Sequence, residues 1–566
     1  MIPASLRGYW KIGASRVFSG IFLSRLLGLA RERAIAHFFG AGFHADVWRV
    51  AMRLPNVLRN LLGEGTLAAA MVPVYSRLLE EGRDADARRF AGAVLGLLAL
   101  VAGAVSITAA FLAQAIVEIV VPLWSPEKQR ATATIVRVVT PMVGLTIVSA
   151  WAMAVLDSHR RFFVSYAGSS LWNLVMIATL VAGGVRFGLG QDDLLLALGW
   201  GAFAGGALQL AIQGSVALRQ LPGIRISLGK GIAEVREAVR NFFPVLGARG
   251  ATNIGGWLEL VMVGLLAEGA AAAMGYAQTL YLIPIALFGI SIAAAELPEL
   301  ARMRAEEKET FVLRIERALG RLTRYTIPAV VGFLFLGDIV VATLFQTGAF
   351  GRTATTVTWL TLAAYALGIF ASANSRTLTS SFYALREYRT PARIVLARVA
   401  ISIAIGVALM FPLDRRLVGE PGAQLSLGPV GIALGTSVGA WIEWTMLRRA
   451  LERRIGRCRV QPGRILSAST LALGCALVVL GIPTLAGVPV GALGAWLVGE
   501  GAGGETGALP PLAAGAVTLV PYCVLYLVAD WLLGRRRDGP TSEPGNGRAG
   551  EDLPSGAGDA GEEPGP

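Results

Sequence analysis

The sequence predicts an all-α polytopic membrane protein of about 14 transmembrane helices, in two six-helix lobes around a central cavity plus two C-terminal helices. Three observations predict it. Of 566 residues, 54% are hydrophobic and only 16% charged, whereas an ordinary soluble domain carries roughly 25% charged residues. Apolar runs of about 20 residues, enough to cross a bilayer as a helix, recur along the chain. Finally, Arg25, Arg31, Arg53, Arg59 and Glu64 lie inside the first two runs. A charge at that depth costs at least about 2.5 kcal/mol on insertion scales, so it faces a protein interior or a watery cavity.

Taken in order, the first two spans lie near 12–39 and 45–79, joined by a Gly-rich turn, and the next four near 88–122, 131–156, 164–186 and 193–218. These form an N-terminal lobe over 1–218. Residues 219–242, RQLPGIRISLGKGIAEVREAVRNF, are too polar to span. The second half of that linker alternates charged and apolar residues at helical spacing, as an amphipathic helix on the membrane surface does. Six more spans near 243–268, 272–300, 314–346, 355–385, 391–412 and 428–450 form a C-terminal lobe over 243–455. Two extra helices follow within 456–537, near 465–490 and 508–534. The tail 538–566, rich in Gly, Pro, Glu, Asp and Ser, cannot bury enough apolar surface to order itself. The two lobes echo each other weakly: 54–73 and 283–298 both run from one proline through small residues to another, and Pro55, Pro73, Pro284 and Pro298 each remove a backbone hydrogen bond from a span.

The net charge of +13 collects in alternate loops, among them 77–89, 157–161, 301–324, 386–393 and 448–464, while 40–46, 186–193 and 268–273 are poor in cations. By the positive-inside rule this places both termini in the cytoplasm. The basic balance therefore reads as loops beside anionic lipid, with no nucleic-acid partner. Three cysteines and three histidines lack metal-ligand spacing, and the interrupted N-terminal run is no cleavable signal peptide. No phosphate-binding GxxxxGK[ST] loop, catalytic triad or carboxylate pair is present, so the chain does not read as an enzyme, and any energy comes from ion gradients, membrane potential or substrate flux.

The candidate site is a cationic cavity. Guanidinium forks match phosphate oxygens better than ammonium groups do. Arg25 and Arg31, like Arg53 and Arg59, are six residues apart, about 120° round a helix axis, so they flank one cavity without forming a narrow stripe. Structural pairing with Glu32, Asp46 or Glu64 is the competing explanation. In the second lobe, Glu259 balances cavity charge, takes part in ion coupling or pairs with an arginine, and Arg376 stands among hydroxyl residues that hydrate a pathway. Asn173 is an amide that a neighbouring helix can satisfy.

The stretch SRLLGLARERAIAHFFGAGFHADVWRVAMRLPNVLRNLLGEGTLAAAMVPVYS resembles the signature of MurJ/MviN-type lipid II flippases, within the multidrug/oligosaccharidyl-lipid/polysaccharide exporter superfamily. The matches include Ser24-Arg25, Leu27-Gly28, Arg31, Gly40-Ala41-Gly42, Asp46, Leu54-Pro55-Asn56, Leu58-Arg59, Glu64-Gly65 and Val72-Pro73. They continue through VLDSHRRFF, LWNLVMI, LFQTGAF and FYALREYRTPAR over roughly the first 450 residues. The resemblance implies two six-helix lobes around a cavity and two C-terminal helices forming a lipid groove. It implies transport of lipid II, the undecaprenyl-pyrophosphate disaccharide-pentapeptide, from the inner to the outer leaflet for cell-wall synthesis. It implies pyrophosphate-binding cavity cations at Arg25, Arg31, Arg59 and Arg376 and family acids at Asp46 and Glu64. From the residues themselves, Arg53 joins the binding set, and Glu259 joins Asp46 and Glu64 as gating or coupling acids. The family's usual A-D-R-L in the eighth helix is Ala277-Gln278-Thr279-Leu280 here, so an expected cavity arginine is Thr279. The second arginine of the family's LRR is Asn60.

The reading is alternating access with no cofactor beyond coupling to membrane potential or a monovalent cation, and with membrane lipids and the envelope-synthesis machinery as partners. A flippase for another polyprenyl-diphosphate-linked oligosaccharide, of O-antigen or capsule type, is the nearest alternative. A multidrug exporter, which would favour acidic residues for cationic drugs, and a non-transporting scaffold stand further off.

Overall fold

A computed structural model describes residues 23–303, 308–458, 462–485 and 510–537. The tail expected to be disordered lies outside them. In chain order the helices are α1 (23–39), α2 (Phe43–Leu62), α3 (Glu64–Glu80), α4 (Asp84–Phe111), α5 (Ala113–Val120), α6 (Pro126–Ser158), α7 (Phe162–Val181), α8 (Gln191–Arg219), α9 (Ala233–Gly264) and α10 (Ala270–Pro284). There follow α11 (Ser291–Arg302), α12 (Lys308–Phe335), α13 (Gly337–Phe345), α14 (Arg352–Ala366), α15 (Ile369–Ala384), α16 (Arg389–Asp414), α17 (Gly428–Ile455), α18 (Pro462–Leu485) and α19 (Pro511–Arg537). A two-residue hairpin, Leu417–Val418 against Leu425–Ser426, joins α16 to α17.

Helices lie at each expected span. Among the described residues nine are long and apolar enough to cross a membrane, and two bent pairs, α12/α13 at 78° and α14/α15 at 41°, bring the number to 11. The expected spans that fall short are α1, α2/α3 and α9. They are the segments carrying Arg31, Glu32, Asp46, Arg53 and Glu259, and α1 is described only from residue 23.

Local chemistry explains the boundaries. Ser125 caps α6, its Oγ accepting from Lys128 N at 3.3 Å, with Pro126 at the first helical position. The 54–73 and 283–298 echoes are both interrupted spans: α2 gives way to α3 at Gly63, and α10 passes at Pro284 into one π-helical turn, Ile285–Ile290, before α11. Pro55, Pro73 and Pro298 remain inside continuous helices.

The linker, expected as a surface helix, is continuous with the span that follows it. Its helical half is the beginning of α9, which runs unbroken from Ala233 through Pro244 to Gly264. The same charged and apolar spacing suits a helix that packs Val235 and Ala238 into the core and turns its charges to the basic end. Arg77 holds Glu237 and Arg83 holds Glu234 there, which docks the start of α9 onto the α3/α4 corner.

Two apolar clusters form the core. One joins the first eight helices to α9 and α10 and to parts of α13, α14, α16 and α17, with Trp48, Trp151, Tyr276, Phe345, Phe350 and Ile432 among its members. The other joins α12, α15 and α17 to α18 and α19 through residues such as Leu319, Leu378, Leu447, Ala476 and Tyr522. The two halves of the chain thus share one core, which takes in Val235 and Ala238 at the start of α9 as well as Leu260 and Val263 at its far end.

Candidate functional site

Along α2, Asp46, Arg49, Arg53 and Asn56 fall within about 80° of arc at 100° per residue, which makes one polar stripe on an otherwise apolar helix. Arg49, Arg53 and Asn56 of this stripe line a cavity of about 240 Å³, whose walls are α1, α2 and α7 from the first half and α9 and α10 from the second. Arg31 and Glu32 of α1 complete its charged lining. Three guanidiniums and one carboxylate leave a surplus of two positive charges.

That carboxylate is shared. Glu32, 4% exposed, lies 2.5 Å from Arg31 Nη2 through Oε1 and 2.5 Å from Arg49 Nη2 through Oε2. Arg31 also donates from Nη1 to Asn173 Oδ1 at 2.9 Å, so the amide on α7 is satisfied by a neighbouring helix. The Arg49 guanidinium carbon stands 4.4 Å over the Tyr276 ring. Trp172 lies between two more cations, 5.0 Å from Arg31 and 5.7 Å from Arg59. Its Nε1 donates to Ala202 O at 3.1 Å, which fixes the ring for cation–π contact. Arg59, about 140° round α2 from Asp46, belongs to this α7 side; Arg53 instead lies against Gly256 of α9.

Asp46 holds the two halves together beyond the cavity. It is 1% exposed, accepts from Lys128 Nζ at 2.7 Å, and accepts from the backbone N–H groups of Gly269 at 2.7 Å and Ala272 at 2.8 Å. A carboxylate at the N-terminus of α10 satisfies orphan amides and meets the positive end of the helix dipole. The end of α1 is stitched to the loop after α13 beside it. Arg33 Nη1 donates to the carbonyls of Thr343 and Leu344, and Ala349 N donates to His37 O at 2.8 Å. Gly40 and Gly348 have positive φ and approach so closely that a Cβ on Gly40 would lie 2.5 Å from Ala349 O.

The remaining expected residues lie elsewhere. Arg25 is exposed, about 9 Å along α1 from Arg31 towards the basic end. Arg376 is the one exposed residue between Ile369 and Leu378 of α15, on the face of Ser372, whose Oγ is 3.2 Å from Tyr281 Oη. Glu64 opens α3 after Gly63, and its side chain lies outside the described residues. Glu259 pairs with no arginine among the described residues: Gln278 Nε2 and Thr436 Oγ1 each donate to it at 3.0 Å, and Gln278 also donates to Tyr365 Oη at 2.9 Å.

Sequence reasoning missed Arg49 and Trp172. The signal for Arg49 was its place in the Asp46–Arg53 stripe, where spacing alone puts it on the same face. Nothing local marks Trp172, because only the fold brings α7 against α1 and α2.

Residues 35–500 match the family model for the lipid II flippase MurJ. The chain belongs to that family. A probable lipid II flippase MurJ of Rhizobium tropici is 29% identical over 534 residues, covering 90% of this chain and 92% of its own. The lipid II flippase MurJ of Burkholderia cenocepacia is 26% identical over 524 residues, covering 90% and 95%. Among solved structures, a lipid II flippase MurJ in an inward closed conformation aligns with a TM-score of 0.72 at 20% identity, covering 92% of this chain and 99% of that one. An inward-facing multidrug resistance MATE transporter aligns at 0.59 and 13% identity, covering 76% and 94%. The MurJ family and these folds make the protein a multi-pass helical membrane transporter.

Proposed function

We propose that this protein flips lipid II from the inner to the outer leaflet of the bacterial cytoplasmic membrane by alternating access, and so supplies cell-wall synthesis. The relatives named for that activity cover nearly their whole length with this chain. The observation that carries the reading is the cavity between the halves with its surplus of two positive charges, the complement of a diphosphate headgroup. Arg31 and Arg53 take the headgroup, while Arg59 on its Trp172 platform, Arg25 and Arg376 attract it along the approach. The termini lie in the cytoplasm, as the loop charges direct. The halves then open at the Asp46 seam while the isoprenoid tail stays in lipid beside α18 and α19. Membrane potential supplies drive, since one charge crossing 100 mV is worth about 2.3 kcal/mol. Glu259, held among the described residues by the neutral donors Gln278 and Thr436, is the acid available for coupling to a monovalent cation.

Complementation of a bacterium depleted of its own lipid II flippase tests this. The wild-type chain is expected to restore growth and outward movement of lipid II; replacement of Arg25, Arg31 and Arg59 together by Ala is expected to abolish both with the protein still in the membrane. If the triple variant works as well as wild type, the protein is a scaffold. If the wild-type chain fails with lipid II but moves another polyprenyl-diphosphate oligosaccharide, the substrate assignment falls.

A further inference from the structure

Position 279, where the resemblance implies an arginine, carries a threonine that lines the cavity and donates its hydroxyl to its own helix, at Gly275 O, 2.9 Å away. One turn earlier on the same face of α10, Gly275 has no side chain. Arg49 occupies that space: a Cβ on Gly275 would lie 2.7 Å from Arg49 Nε and 2.8 Å from its Cδ. The Arg49 side chain therefore crosses from α2 onto the surface of α10 that a side chain at 279 also reaches. There Tyr276 supports its guanidinium and Glu32 faces it. The Nε atoms of both Arg49 and Arg31 are buried and have no hydrogen-bond partner among the described residues. A buried guanidinium donor left without an acceptor is costly unless a ligand completes it.

We propose that Arg49 supplies, from α2, the diphosphate-binding cation that position 279 lacks on α10, with Glu32 as the counter-ion that an arriving diphosphate displaces from Arg31 and Arg49. This deepens the lipid II reading and rests on it. The exchange is consistent with its neighbours. Arginines at both 49 and 279 would crowd like charges in a low-dielectric space. An acid at 278, where the resemblance implies one, would meet Glu259 at hydrogen-bond distance, whereas Gln278 donates to it.

The test is binding of undecaprenyl diphosphate to the full-length protein in nanodiscs, with flipping of fluorescent lipid II in proteoliposomes as the second readout. Arg49→Met is expected to weaken diphosphate binding about 10- to 100-fold, the loss of one charge-assisted contact. Undecaprenyl monophosphate, which needs fewer cations, is expected to lose less. Adding Thr279→Arg to R49M is expected to recover most of the loss in both readouts. Arg49→Gln is measured in parallel, since it keeps a polar N–H donor but no charge, and is expected to behave as R49M does. Binding within about twofold of wild type in both single variants overturns the proposal. Loss in both without recovery by T279R overturns the exchange of positions. Arg31→Met separates the two levels of inference: if it abolishes binding while R49M and R49Q do not, only the Arg49 assignment fails, and if all three are harmless, the cationic diphosphate-binding cavity itself fails.

Discussion

At the end of the bundle away from the basic loops, the halves are joined by a carboxylate that is 1% exposed and holds two backbone amides and a buried lysine. At the basic end, the α3/α4 corner is joined to the start of α9 by Arg77–Glu237 and Arg83–Glu234, whose arginine side chains are 47% and 45% exposed. The chemistry is nominally the same, cation to carboxylate, but the surroundings are not. Exposed pairs are screened by salt and contribute little, whereas breaking one partner of a buried, hydrogen-bonded set leaves an uncompensated charge. The lesson is that the strong seam lies away from the basic end. A transporter that alternates has to dismantle that seam once per cycle, so substrate or coupling energy is needed mainly there.

The largest expected effect comes from breaking the stronger side. Asp46→Ala strands Lys128 among the rings of Trp124 and Phe43 and leaves the first amides of α10 without an acceptor. Loss of one partner from a buried pair is worth about 3–5 kcal/mol, enough to invert a two-state equilibrium of ordinary size. Spin labels at the exposed residues Asp193 and Glu420, in different halves at this end, are expected to move apart in the variant and in no variant of the basic end. An unchanged distance distribution would remove Asp46 from the seam.

A smaller step tests the α1 stitch. Arg33→Ala removes two charge-assisted bonds to the last carbonyls of α13 but leaves the Ala349–His37 backbone bond in place. Bonds to charged groups contribute about 1.5–3 kcal/mol each, and water entering the gap offsets part of that. The same label pair is expected to show a partial open population, less than in Asp46→Ala. Equal or greater opening would mean that the helix-end stitch, and not the capped α10, governs the seam.

Much of this architecture was legible in the sequence because apolar runs and loop charges report helices directly. The positions of α1–α19 follow the expected spans, and the interrupted spans at Gly63 and Pro284 follow the proline echo. The site was legible to the extent that it is local. Arg31 and Arg53 reach the cavity, but Glu32 is shared between its neighbour Arg31 and Arg49, and Asp46 finds its amides 223 and 226 residues along the chain. No spacing rule predicts such pairings, since they depend on how α2 lies against α10. The 78° bend between α12 and α13 and the continuity of α9 were hidden for the same reason.

The smallest effects should be confined to the basic end, and pH separates their sources. Burial, aided by nearby Arg161, lowers the imidazole of His159 below its ordinary 6.5, and its Nε2 lies 3.0 Å from Tyr75 Oη. Because the folded state disfavours the charged ring, stability falls as pH drops from about 6.5 towards the folded value. The hydrogen bond from Arg77 lowers the Glu237 carboxyl below its ordinary 4.5. Its contribution is therefore complete above that value and is lost only as pH falls further, through the folded value. Hydrogen exchange should register two stages: amides around 155–161 loosen on going from neutral pH to about 5, and those of the first two turns of α9 only below about 4.5. Salt at 1 M, with a Debye length of about 3 Å, should loosen the start of α9 at neutral pH and leave the amides of Gly269 and Ala272 protected. If 1 M salt deprotects those two amides as much as it does the first turns of α9, burial does not separate the two ends, and the seam has to be held by something other than Asp46.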